Sequence, residues 1–380
     1  MARGSQKALA QLAIFGTVLC LVLLFNHPHS SSKTFAWTTI RYKSSSLEQH
    51  VSRGVCPGLK DITKPVLVVS GVDADGSPDW LDDLSDRYHL CLYDVDARAE
   101  TESNLLRVPA NRGHEAMAYL TFIIDNYDDI PADGAVFVHG SRFAWHNDHS
   151  DYDNRALLSA LNVSSALASV GYHNMRCDWS ASTCVPPMKP QGSFETSMHA
   201  TTEPWDARAV SDSLMPRALA VLFGGDGSTL LDHQQVFLGR ADTLRSQCCA
   251  QFVVSRDNVW RHARHEYVAL RQWLLGGSQR GNAQKQFETI NAAPLDDRVA
   301  GRMLSYMWHI LFLSGSATTD GGDGIDLQQL NRLACPSAEE CYCRLYGRCD
   351  LTCTSPDRCQ GLYHVPPQYR LPDDWANTHP

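Results

Sequence analysis

The chain has 380 residues, 43% of them hydrophobic and 20% charged, with a formal net charge of -9 and an isoelectric point of about 5.9. That composition suits a globular protein with one large core or two small ones. No Lys/Arg block stands out, which excludes nucleic acid as a partner.

Arg3 and Lys7 precede a run without charge from Ala8 to Phe25, long enough to reach across a bilayer core. The readings that compete are an uncleaved signal anchor and a cleaved signal peptide. The run exceeds a usual signal core and no small-x-small site follows it, which favours the anchor. The flanking positive charges place the N-terminus in the cytoplasm and everything after Phe25 in the lumen or outside the cell. The boundaries read as a cytoplasmic tail 1–7, a transmembrane anchor 8–25 and a flexible Ser-rich stem 26–62. A lumenal α/β domain 63–316, a linker 317–334 and a Cys-rich tail 335–380 follow.

Pro65 to Ser70, PVLVVS, is a short buried strand that empties into a turn-rich loop holding Asp73 and Asp75. Trp80 to Tyr88 carries a helical stripe, and His89 to Tyr93 is a second strand leading to Asp94 and Asp96. From Asn111 to Tyr127, residues Ala116, Leu120, Ile123 and Tyr127 fall on one helical face, with Asn111 as the expected N-cap. Ala135 to Val138 is a third strand. Strand and helix alternating in this way predict a parallel sheet. Helices are expected over 153–170, 206–222, from Arg256 onward and over 298–313, and 247–255 is strand-like. GGDGSTLLD (224–232) lacks the phosphate-loop pattern and reads as a turn. DGGDGID (320–326) misses the calcium-loop pattern.

The chain has 13 cysteines. Cys20 lies in the apolar run. Cys335, Cys341, Cys343, Cys349, Cys353 and Cys359 crowd the tail, where three disulfides closing a small knot are expected, zinc being the alternative. A local Cys177–Cys184 bond is also expected. Asn162-Val163-Ser164 is an N-glycosylation sequon.

Three groups could carry chemistry. Asp94 and Asp96, just past a strand, suit Mg2+ or Mn2+ against a nucleotide diphosphate, or form a plain surface loop. The helix start at Arg112, His114 and Glu115 suits an anion, or is a plain capped helix. The third strand empties into His139, Arg142, Trp145, His146, Asn147 and Asp148, where His139, Arg142, His146 and Asp148 are the candidate catalytic groups and Trp145 and Asn147 substrate contacts. A solvated polar loop is the competing reading. No HExxH or GxSxG motif is present.

YLTFIIDNYDDIP, VFVHGSRFAWHND, GYHNMRCDW, QCCAQFVVSR, MLSYMWHILF and ECYCRLYGRCD, taken in order from about Val66 to Cys349, resemble a largely fungal family of unknown function. That resemblance implies no catalytic residue. The anchor, stem, βαβ pattern and Asp94/Asp96 are more distantly similar to nucleotide-sugar glycosyltransferases of the GT-A type. The expected fold is therefore α/β, a single domain with a mostly parallel central sheet flanked by helices, GT-A-like. Two function classes stand open. One is a type II glycosyltransferase-like enzyme of the Golgi or ER, taking a nucleotide-sugar and a glycan acceptor. The other is a non-catalytic lumenal, secreted or cell-surface binding protein.

Overall fold

The computed structural model describes residues 2–25, 33–43, 54–96, 105–225, 233–277, 291–318, 324–361 and 365–379. The first element is a 24-residue helix, α1 (Ala2–Phe25), and its apolar Leu12, Ile14 and Phe15 side chains stand exposed. Among the described residues no helix is long and apolar enough to cross a membrane.

In chain order follow strands β1 (Thr34–Phe35), β2 (Val66–Gly71), β3 (His89–Asp94) and β4 (Leu106–Arg107), helix α2 (Glu115–Asp125) and strand β5 (Ala135–His139). Then come α3 (Asn154–Ala160), α4 (Val163–Leu167), β6 (Tyr172–Asn174), α5 (Phe194–Thr202), α6 (Ala207–Gly224), α7 (His233–Val236) and β7 (Phe252–Val254). The chain continues through α8 (Arg256–Val259), α9 (Arg264–Gly276), α10 (Asp297–Ser305), α11 (Trp308–Leu313), β8 (Ile325–Asp326), α12 (Leu327–Ala334) and α13 (Ala338–Tyr346). A small hairpin, β9 (Cys353–Ser355) and β10 (Arg358–Cys359), and a terminal turn, α14 (Trp375–Thr378), end it.

The central sheet has six strands in the order β4-β3-β2-β5-β7-β6. The first four run parallel, and β7 lies antiparallel to both its neighbours. Val66–Val69 and Ala135–Val138 are buried without a break, as expected of strands covered on both faces. Alternation sorts the side chains. Val66, Val68, Phe137 and Phe252 face one core, roofed by α2, α9, α10 and α11. Leu67, Val69, Val136 and Val253 face the other, covered by the 3-10 turn Pro78–Leu84, by α3 and by α13.

Several expectations are corrected. The stem is not free where it is described. Phe35 and Trp37 are fully buried, Trp37 Nε1 donates to Val236 O (2.8 Å), and Cys56 is disulfide-bonded to Cys91 on β3. Its apolar residues are isolated anchors rather than a periodic stripe, so they leave no sequence signal. The linker holds α12, whose Leu330 is fully buried. Residues 319–323, most of the glycine-rich stretch there, and 226–232 lie outside the described residues.

The expected helix over 153–170 is broken at Leu161, where Asn162 N donates to Leu345 O of α13 (2.7 Å) and the Asn162 side chain caps α4. That over 298–313 breaks at Tyr306–Met307, where i→i−3 bonds tighten the turn. Asn111 is not the cap of α2, which starts at Glu115 after His114 with φ 53°.

The tail cysteines are all bonded, but not as a closed knot. Cys177–Cys341 and Cys184–Cys335 tie α13 and the end of α12 to the loop after β6, while Cys343–Cys349 and Cys353–Cys359 are local. The expected Cys177–Cys184 bond is thereby excluded. Cys248 and Cys249, adjacent in sequence, bond to each other just before β7. The reason is packing: Ala338, Cys341, Tyr342 and Leu345 form part of the second core, so α13 belongs to the domain.

Candidate functional site

Parallel strands deliver their carboxyl ends to one edge. Register fixes which residues meet there: Ser70 lies beside Tyr93 and His139, and Gly71 beside Asp94. The loops beyond are held tightly. Gly140 N donates to Ser70 O (2.7 Å), and a Cβ on Gly140 would lie 2.8 Å from both Gly71 Cα and an Asp75 carboxylate oxygen, so only glycine lets the β2 and β5 loops cross. Asp75 accepts from Val72 N (3.0 Å) and from the Ser141 hydroxyl.

His139 is half-buried on the face that Phe137 shares with α2. Its Nε2 lies 3.0 Å from Asn147 Oδ1. The Asn147 amide is oriented by its other contacts: Nδ2 donates to Arg142 O (3.0 Å) and Tyr152 O (2.8 Å), and Oδ1 also accepts from Gln251 Nε2 (3.0 Å). An amide oxygen only accepts, so His139 Nε2 carries the proton and Nδ1 keeps a lone pair. Burial lowers the His139 pKa, against the opposing pull of Asp75 and of the Asn147 bond. Burial thus favours the uncharged imidazole, the form a general base requires.

The other loop residues differ in how far they are engaged. The His146 ring stands edge-on between His139 (4.5 Å) and Trp145 (5.0 Å), and burial, His139 and Arg176 hold its pKa well down. Trp145 also touches Tyr369 of the C-terminal segment (4.9 Å). Arg142 grips Asp153 through two bonds (3.2 and 3.0 Å), and Asp153 caps α3. Asp148 is buried and accepts from Cys177 N (2.6 Å), Asp178 N (3.1 Å) and the Tyr342 hydroxyl (2.5 Å). Burial raises its pKa against those donors and Arg176. Of the four candidate catalytic groups, the half-buried imidazoles His139 and His146 keep access, and His139 is the one whose ring is oriented by a hydrogen bond, from Nε2 to Asn147 Oδ1. Arg142 and Asp148 are clamps.

The helix start is also corrected. Arg112 is buried and turned away from the edge, donating to Asp297 Oδ1 (2.7 Å), Leu295 O (3.3 Å), Leu274 O (3.4 Å) and Pro294 O. Gly113 N donates to the same Asp297 oxygen (2.6 Å). The anion expected there is the chain's own carboxylate. His114 is exposed, 4.0 Å from Asp297, and Glu115 is half-buried with its pKa raised by that burial.

Asp94 Oδ1 accepts from Asp96 N (3.0 Å), and Asp96 accepts from Asn111 Nδ2. Among the described residues, neither aspartate falls in a group of three close metal-ligand side chains. Such groups are Cys56, His89 and Cys91, where the two thiols are already bonded to each other, and the exposed His199, Glu203 and Asp206. Sequence reasoning missed Gln251, Arg176 and Ser141, because their proximity depends on the antiparallel β7 and on loop crossing. A groove of about 800 Å3 lies at the opposite, amino edge of the sheet, away from these groups.

Residues 67–344 match the family model described as "Protein of unknown function (DUF3431)". The chain belongs to this family. The DUF3431 match takes in the central sheet but for Val66, the carboxyl edge and most of α13. No curated protein and no solved structure matches the chain.

Proposed function

We propose that the protein is glycosyltransferase-like and lumenal in the secretory pathway, Golgi or ER, held by α1 as an anchor. In this reading its carboxyl edge takes a nucleotide-sugar, and a glycan acceptor approaches from solvent. The observation that carries the site is His139, its Nε2 held 3.0 Å from Asn147 Oδ1, set at the same edge as the Asp75, Asp94 and Asp96 carboxylates. The compartment reading is supported by the bonded cysteines and by the exposed apolar side chains of α1.

Arg112, Arg142 and Arg176 are each paired to a carboxylate of the chain itself. A diphosphate would therefore arrive with its own cation. Asp94 and Asp96, each keeping a carboxylate oxygen beyond the bond described above, would hold Mg2+ or Mn2+, which would supply that charge. The same paired arginines favour the second reading, a non-catalytic lumenal or cell-surface binding protein.

The test is calorimetric titration of nucleotide-sugars into the disulfide-intact protein, with and without Mn2+, followed by turnover assays. Loss of a positioned base costs roughly 100-fold or more, so His139→Ala should abolish turnover at a nearly unchanged thermal midpoint. Binding without turnover supports the second reading. Absence of any nucleotide-sugar binding rejects the first.

A further inference from the structure

The groove at the amino edge of the sheet runs between Pro65, Ala132-Asp133, Arg87 and the α3–α4 junction, and Asn162 and Ser164 form part of its wall. Its volume of about 800 Å3 is that of a site for a sizeable ligand. Asn162 is exposed, and its Oδ1 accepts from Ser165 N (3.0 Å) and from the Ser164 hydroxyl (3.0 Å). The oxygen is thus engaged as the cap of α4, while Nδ2 has no partner among the described residues. The sequon hydroxyl and Ser165 N together hold the amide in this pose.

We infer that this groove is the seat of the protein's own N-linked glycan, attached at Asn162 Nδ2. Attachment forms the bond from sugar C1 to Nδ2 and breaks the bond from C1 to a lipid-diphosphate donor. One amide proton and the lipid diphosphate are released. Oδ1 is untouched by this chemistry, so the cap survives glycosylation. The groove offers what a hydroxylated ring needs: Arg87, which spends one N–H on Leu161 O (2.9 Å) and has others to donate, the Asp133 carboxylate to accept, and Leu167 and Ala132 for the C–H faces. A covalent tether gives the first sugars a high effective concentration, so a shallow groove can hold them. The inference rests on the secretory reading above, and not on glycosyltransferase activity.

The full chain is expressed through a eukaryotic secretory route and mapped by peptide mass spectrometry. The native protein is then treated with a glycan-releasing amidase. This enzyme leaves aspartate at 162, as good a cap as asparagine, so the helix start is preserved while the sugar is lost. Amide exchange at 132–134 and 163–168 should then speed up several-fold. Ser164→Ala should show the same fast exchange without enzyme, and Ser164→Thr, which keeps a hydroxyl, should behave as wild type. An unglycosylated Asn162 in a protein that has formed Cys177–Cys341 overturns the inference and spares the secretory reading. Free thiols together with an unglycosylated Asn162 overturn both. A glycan whose removal leaves exchange unchanged overturns the seat.

Discussion

His309, on α11, is fully buried, and both ring nitrogens lack a hydrogen-bond partner. Burial lowers its pKa to about 3. In the unfolded chain the same imidazole titrates near ~6.5. Between those values only the unfolded state binds the proton, so stability falls as pH drops below the unfolded value. The linkage term is about 0.2 kcal/mol at pH 7 and about 2 kcal/mol at pH 5. His309→Leu removes the titrating group and its unpaired nitrogens, each kind of orphan costing about 1–3 kcal/mol. The variant should therefore be more stable than wild type at pH 7, and its advantage should widen by about 2 kcal/mol at pH 5. Packing mismatch shifts both values equally and cancels in the difference, as do all other titrating groups. Urea unfolding of the disulfide-intact proteins, followed by tryptophan fluorescence at the two pH values, measures it. An advantage that stays constant between pH 7 and pH 5 would refute the reasoning, since it would mean that His309 takes up its proton in the folded protein.

Asn147→Asp puts a carboxylate against His139 Nε2 and should raise the imidazole pKa, read from the ring carbon shifts in NMR. An unmoved titration would show that the 3.0 Å bond does not hold in solution. Cys341→Ala should cost about 2–4 kcal/mol and expose the amides of α13 to exchange, because the Cys177 tether spans 164 residues. Cys359→Ala, which opens a link spanning only 6 residues, should leave α13 protected.

What the sequence made legible was whatever depends on local pattern. β2, β3 and β5 are continuous apolar runs, and their shared carboxyl edge follows from parallel topology. The three aspartate- and histidine-bearing loops accordingly meet where expected. What it hid depends on partners far along the chain. Arg112 looks like an anion receptor until Asp297, 185 residues away, is found to occupy it. Asp148 looks like a ligand until Tyr342, 194 residues away, and two backbone amides close over it. Phe35 and Trp37 lie in a segment whose composition is that of a linker, and two aromatic anchors create no period. The fate of a polar side chain is set by which element roofs it, which local spacing does not encode.

The two long disulfides set a timetable for biosynthesis. Cys177 and Cys184 leave the ribosome well before their partners, Cys341 and Cys335, which lie 164 and 151 residues later. At a synthesis rate of ~5–20 residues per second, their thiols stay unpaired for roughly ten to thirty seconds. During that interval each is the other's nearest neighbour, and a premature Cys177–Cys184 bond would have to be reshuffled before α13 could dock. By contrast, Cys343–Cys349 and Cys353–Cys359 join residues 6 apart and can close as soon as they emerge. The last helix of the domain is therefore also its quality check, because only a chain translated beyond Cys341 can give both mid-chain thiols their native partners.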